Sequence, residues 1–175
     1  MKKFAALLAV AFVFSGVGVF AADFGDLLER LNSRDFTLER DVVTGKGGVY
    51  VGELVNPHSE TPMFKARDEF RAKMSEAQKA KDDAAIDDLC DFIAGAMKSD
   101  SSVETKVWLL QQLAVIGVDK HAAIAADLLK SDNQNLVDAA AGALAKIPGN
   151  SAAKALEANK ALPACAAALL LRNQG

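Results

Sequence analysis

Cysteine, histidine, proline and aromatic rings are all scarce in this 175-residue chain. Two cysteines cannot build a disulfide-rich scaffold. The two histidines, His58 and His121, share no ligand spacing with each other or with a cysteine, so no closed zinc site can be assembled from them. Aromatic residues make up 6%, with one Trp and one Tyr, and the core must therefore come from small and aliphatic side chains. A strong charge of one sign is missing too: a net charge of −3 and a pI of about 5.4 supply no field to recruit nucleic acid. What the chain does have is apolar bulk. Hydrophobic residues are 51% against 25% charged, which excludes an intrinsically disordered chain. Alanine occurs 33 times, and 19 of these fall in the 62 residues from Ala114 to Gly175, a composition for helices that approach closely.

The N-terminus carries an address. Met1-Lys2-Lys3 is a cationic start, Phe4 to Phe14 is an eleven-residue apolar run, and Val19-Phe20-Ala21 offers a small-residue exit. Together these form the secretory pattern, with cleavage expected after Ala21. Gly16 and Gly18 interrupt the run well before the ~20 apolar residues a spanning helix needs, so stable membrane insertion after cleavage is not expected. The expected location is outside the cytoplasm, periplasmic or extracellular. Roughly 150 residues remain, enough to bury about two-thirds of their unfolded surface.

Four segments follow from the local pattern. Residues 1–21 are the signal peptide. Residues 22–62 hold a short N-terminal helix, with Phe24, Leu27, Leu28 and Leu31 at helical spacing, and then a hairpin or extended loop over 41–55. There, Asp41-Val42-Val43 and Val49-Tyr50-Val51 flank Thr44-Gly45-Lys46-Gly47-Gly48. Residues 63–81 form an amphipathic connecting helix, with Thr61 as N-cap and Pro62 at the first helical position. Its six basic residues outnumber Asp68, Glu69 and Glu76; an anionic partner is one reading of this surplus, and a solvated face is the preferred one. Residues 82–175 carry a regular succession: Asp82 and Asp83 open one helix, Ser99 to Ser102 break it, and Val103 to Ile116 form the next before Gly117. Lys120 to Lys130, Leu136 to Ile147, Ala152 to Asn159 (capped by Ser151) and Ala164 to Arg172 complete it.

This succession repeats. Lys98-Ser99-Asp100 and Lys130-Ser131-Asp132 stand 32 residues apart, as do Gly117 and Gly149. A helix, polar break, helix and glycine exit at that period is what stacked helical pairs require, because one pair cannot bury both sides of its apolar seam. Leu128-Leu129-Lys130-Ser131-Asp132, Leu136-Val137-Asp138-Ala139-Ala140 and Leu144-Ala145-Lys146-Ile147 resemble the HEAT repeat family. The resemblance is fullest over 120–149 and extends to 83–117 and part of 150–172. It implies an all-α fold, a right-handed α-solenoid of about three stacked pairs preceded by the irregular or hairpin segment. Where many members carry an arginine after the turn that braces the next repeat, this chain has Asp138 or Lys106.

Groups with chemical potential each have a plainer explanation. His58-Ser59-Glu60 contains the residue types of a hydrolase triad, but neighbours on one loop do not form the nucleophile–base–orienter line, and no G-x-S-x-G is present. Gly45-Lys46-Gly47-Gly48 lacks the spacing and the Ser/Thr of a phosphate loop. Asp87, Asp88 and Asp91, with Asp82 and Asp83 a turn earlier, read as a solvated acidic face, since no glycine-bent loop gathers their oxygens for calcium. Cys90 and Cys165 sit in apolar stripes and are expected as buried free thiols. His121 is expected at the surface or lining a groove. Trp108, Phe92 and Leu109 are expected in the core.

The function expected from the resemblance is protein–protein interaction: an exported, non-catalytic scaffold with no cofactor and no metal, presenting a groove to a protein or peptide. Lys106, Gln111, Gln112 and Asp138, on the second helices of the pairs, are the expected interaction surface. The alternative is an accessory or N-terminal module of a larger exported enzyme. Leu169-Leu170-Leu171 near the end looks ready to receive another neighbour, either a further module or a second copy through the C-terminal helix.

Overall fold

The computed structural model describes residues 20–34 and 61–173. Most of the expected signal peptide, the expected hairpin over 41–55, Gly45-Lys46-Gly47-Gly48 and His58-Ser59-Glu60 lie outside the described residues. Every element among the described residues is helical, and the fold class there is all-α. In chain order these are α1 (Phe20–Leu31), α2 (Pro62–Ala80), α3 (Asp83–Lys98), α4 (Val103–Ile116), α5 (Ala122–Ala126), α6 (Gln134–Lys146), α7 (Asn150–Ala158) and α8 (Pro163–Arg172).

Helix α2 starts where Pro62 pre-sets the backbone. The expected hydroxyl cap is not made. Thr61 occupies the N-cap position in extended backbone, and its carbonyl, rather than its hydroxyl, takes part by accepting the Lys65 N–H at 3.1 Å. Ala66, Phe70, Met74 and Ala77 form the buried stripe. The helix ends at Lys81, whose φ of 53° lets the Asp82 N–H reach back to the Ala77 carbonyl at 2.9 Å. Asp82 is then free to cap α3 at once, accepting the Ala85 N–H at 3.0 Å.

The polar breaks between later helices cap in the same way. Ser102 accepts the Thr105 N–H at 3.1 Å to start α4, and Asn133 accepts the Asn135 N–H at 3.0 Å to start α6. Two expectations need correction. Lys120 to Lys130 is not one α-helix: short α5 is flanked by 3₁₀ turns, Asp119–His121 and Asp127–Lys130. The first turn winds tightly because the His121 N–H bonds the Val118 carbonyl at 2.8 Å, which brings the His121 ring back onto its own backbone. Nor does Ser151 cap α7. Gly149 is the N-cap residue, and the carboxylate that serves the helix start comes from Asp119, whose Oδ1 accepts the Ser151 N–H at 2.7 Å.

Helices α3/α4, α5/α6 and α7/α8 form contacting pairs. The second members pack in succession, α4 on α6 and α6 on α8, and the first members follow, α3 on α5 and α5 on α7. Helices α1 and α2 close the α3/α4 end: α1 packs on α2, and α2 on α3. Alanines permit the close approach, with Ala122, Ala125, Ala140, Ala141 and Ala143 all buried. Gly117 ends α4 with φ −66°, not in the left-handed region, so its role is proximity. A methyl there would stand 2.6 Å from the Leu113 carbonyl oxygen and 3.1 Å from Ile147 Cγ1. Rings are concentrated at the α1–α4 end, where Phe24 stacks on Phe92 at 4.8 Å and Phe70 sits 5.6 Å from both Phe92 and Trp108.

Polar side chains staple successive elements. Asn32, just after α1, accepts the Ser102 N–H at 2.9 Å and donates to Ser101 Oγ at 3.1 Å, while the buried Thr105 hydroxyl donates to the Leu31 carbonyl at 2.9 Å. Asp87 in α3 reaches Lys120 and His121, and Asp119 reaches Ser151 through both carboxylate oxygens. Asp87 and Asp119 are themselves 32 residues apart, and each reaches forward to a later turn or helix start, Asp87 to two side chains and Asp119 to the Ser151 N–H and hydroxyl. At the far end, the Arg172 guanidinium donates to the carbonyls of Leu144, Ile147 and Gly149, a cation on the negative end of α6.

Candidate functional site

The expected interaction residues separate into two groups. Gln111 and Asp138 are exposed and line one open groove of about 500 Å³ between α2, α4 and α6. Lys106 and Gln112 do not line it. Gln112 instead donates to the carbonyl of Trp108 on its own helix at 3.2 Å. Asp138 accepts from Gln134 one turn earlier at 2.7 Å. The α4 wall also presents Val103, Glu104 and Val107, and the α6 wall Asn135 and Ala139.

The head of the groove holds Trp108, expected in the core, and Arg67 from the basic face of α2. Trp108 is 6% exposed and belongs to the core, as its place in an apolar stripe predicts. It also borders the groove, and Arg67 from α2 lies over it, with Cζ 5.2 Å from the indole ring and 5.8 Å from Phe64. A second guanidinium, Arg71, stands 5.7 Å from the same indole. Cations over an aromatic face are attracted to it, and an indole takes them best. Arg71 has a carboxylate partner in Asp68 at 3.3 Å. Arg67 has no hydrogen-bonded carboxylate among the described residues: its Nε and the Trp108 Nε1 are both buried and meet no acceptor there. Burial, and then the neighbouring charge of Arg71, pull the Arg67 pKa below its ordinary value. A buried donor without an acceptor costs about 1–3 kcal/mol, so the two are expensive for the fold alone. The surplus of basic residues on α2 was the sequence signal for this spot. What it lacked was the information that α4 brings the single Trp beneath two of them.

The acidic stretch of α3 also departs from expectation. Asp87 is not simply solvated: its Oδ2 takes Lys120 Nζ at 2.5 Å and its Oδ1 meets His121 Nε2 at 3.1 Å. His121, expected at the surface or a groove, is 7% exposed. Its Nδ1 accepts the Val118 N–H at 3.2 Å, which assigns the ring proton to Nε2 as the donor to Asp87. Asp88 and Asp91 remain exposed. The hydrogen bond from Lys120 holds the Asp87 carboxyl below its ordinary 3.8, and the same bond raises Lys120. Because the folded value of Asp87 lies below the unfolded one, this bridge stabilises the fold above the ordinary carboxylate range and is lost as pH falls through the depressed value. Asp87→Asn is therefore expected to lower the melting temperature at neutral pH, with the gap to the unmodified protein closing below about pH 4. Thermal scans of both proteins across that range read it out, and a gap independent of pH would contradict the assignment.

Cys90 and Cys165 are buried free thiols. Burial, reinforced by Asp87 and Asp91, pushes Cys90 up to about 12, and burial also raises Cys165. A thiol held protonated is a poor nucleophile. Comparison with protein-family models, with curated proteins and with solved structures finds no match to the chain.

Proposed function

We propose that this protein is an exported, non-catalytic helical-repeat scaffold that binds a protein or peptide, built as a short right-handed α-solenoid with HEAT-like pairs. The observation that carries this reading is the ordered succession of second helices, α4 on α6 on α8, with an open groove beside α4 and α6. Supporting it, the two Lys-Ser-Asp triplets occupy equivalent turns, each between the first and second helix of a pair. Side-by-side second helices make an elongated face on which a partner chain can lie. The N-terminal pattern of charge, apolar run and small-residue exit supports export.

A photo-crosslinking side chain at Gln111 or Asp138 tests the proposal, with one at Glu157 on α7 as control. Incubation with an envelope or culture-supernatant extract is expected to give discrete adducts from the first two positions and none from the third. Equal labelling at all three positions, or intrinsic hydrolytic activity in the purified protein, would overturn it. One observation favours the second reading, an accessory module or self-association: Leu170 and Leu171 on α8 are each 65% exposed, an apolar edge suited to receiving a further helix.

A further inference from the structure

We infer that the head of the α2–α4–α6 groove is a carboxylate-binding subsite, in which Arg67 beside Trp108 takes the side chain of a glutamate or aspartate within an extended peptide and Arg71, outside the groove lining, adds positive charge nearby. The inference rests on the scaffold reading above and assigns it a ligand chemistry.

Three observations converge on an anionic group. Two guanidinium groups flank one indole, at 5.2 and 5.7 Å from its ring, a like-charge arrangement that an anion between or beside them would relieve. Arg67 has no carboxylate within ion-pair distance among the described residues, although it is half-buried and short of solvent. Two donors, Arg67 Nε and Trp108 Nε1, are enclosed without an acceptor where the groove begins. An arginine offers Nε–H and a neighbouring Nη–H as a side-on fork matched to both oxygens of a carboxylate. Rotation of the Arg67 side chain toward the groove presents that fork to a ligand lying there.

The rest of the groove selects a residue inside a chain. It is open along α4 and α6, and it carries the primary amides of Gln111 and Asn135, each able to donate to a peptide carbonyl and accept from a peptide N–H. Val107 and Ala139 supply apolar wall for a flanking side chain. The acids of the rim, Glu104 and Asp138, stand on α4 and α6 with the amides, whereas both arginines stand on α2. The charge is therefore divided across the groove and fixes which side the anionic group meets.

Trp108 is the only tryptophan, so indole emission excited selectively over that of the single tyrosine reports this spot alone. Three pentapeptides serve as probes: Ala-Val-Glu-Leu-Ala capped at both ends, its glutamine counterpart capped likewise, and the glutamine peptide with a free C-terminal carboxylate. The capped glutamate peptide is expected to change Trp108 emission saturably and to bind at least about tenfold tighter than either glutamine peptide. Arg67→Gln is expected to erase that preference, Arg67→Lys to restore part of it, and higher salt to weaken it, all with an unchanged far-UV spectrum. Equal binding of the capped glutamate and glutamine peptides, or a preference surviving in Arg67→Gln, would overturn the subsite and leave the scaffold reading intact. Tighter binding of the free-carboxylate peptide would overturn the side-chain assignment in favour of a chain terminus. Absence of binding by all three peptides would overturn the subsite, and the scaffold reading would then stand or fall on the crosslinking experiment.

Discussion

Replacing Gly149 by alanine is expected to lower the unfolding free energy by about 3 kcal/mol. Gly149 has φ 101° and ψ 177°, a region that side chains with a Cβ rarely occupy. It is also the N-cap position of α7, and a methyl group there would overlap the Asp119 carboxylate. The carboxylate would have to withdraw from the Ser151 N–H and hydroxyl, which it holds at 2.7 and 2.9 Å. Backbone strain and a lost helix cap therefore add at one residue. Urea unfolding followed by circular dichroism measures the loss, with an unchanged slope expected because the surface exposed on unfolding is the same. Gly142 in α6 is the control. Nothing lies within 4 Å of a Cβ placed there, so Gly142→Ala is expected to gain about 0.5–1 kcal/mol. A double-mutant cycle completes the test: Asp119→Ala should cost less in the Gly149→Ala background than in the unmodified protein, because the cap is already broken there.

Phe70→Ala is expected to cost about 3–5 kcal/mol, the largest loss at any single core position of α2. The ring is fully buried and stands between Phe92 on α3 and Trp108 on α4, 5.6 Å from each. Removing it empties the junction of three helices in a region whose other walls are rings too stiff to collapse inward. Trp108 would lose its edge-on neighbour and gain access to water, so its emission should shift to the red before global unfolding begins. A variant with unaltered stability and emission would show that α2 does not lie on α4.

Much of the fold could be read from local chemistry, and the reason is visible in particular residues. Ser99 to Ser102, Ser131 to Asn133, Pro148-Gly149 and Pro163 are breakers and caps whose effect reaches only a few residues, so they place helix ends correctly without any knowledge of neighbours. Misreadings arose where a distant residue took over a local role. Ser151 has the look of a cap, yet a carboxylate 32 residues earlier performs that task. His121 looks like a first-turn surface residue, yet it is buried, with its ring held between the Val118 N–H and Asp87. The 32-residue spacing of Asp87 and Asp119 was available in the sequence, but the direction of their reach depends on how the helices pack. The groove was half legible: Gln111 and Asp138 follow from their place on α4 and α6, while Arg67 belongs to α2 and meets Trp108 only through tertiary packing.

The central claim is that the helical pairs stand in a row, with α6 between α4 and α8. Methyl–methyl nuclear Overhauser contacts in solution test this most directly. Dense contacts are expected from α4 residues such as Leu110 and Leu113 to α6 and from α6 to α8 around Leu144 and Ala168, with almost none between α4 and α8. A comparable set of α4–α8 contacts would mean that the helices surround one shared centre, and the row of pairs would be contradicted.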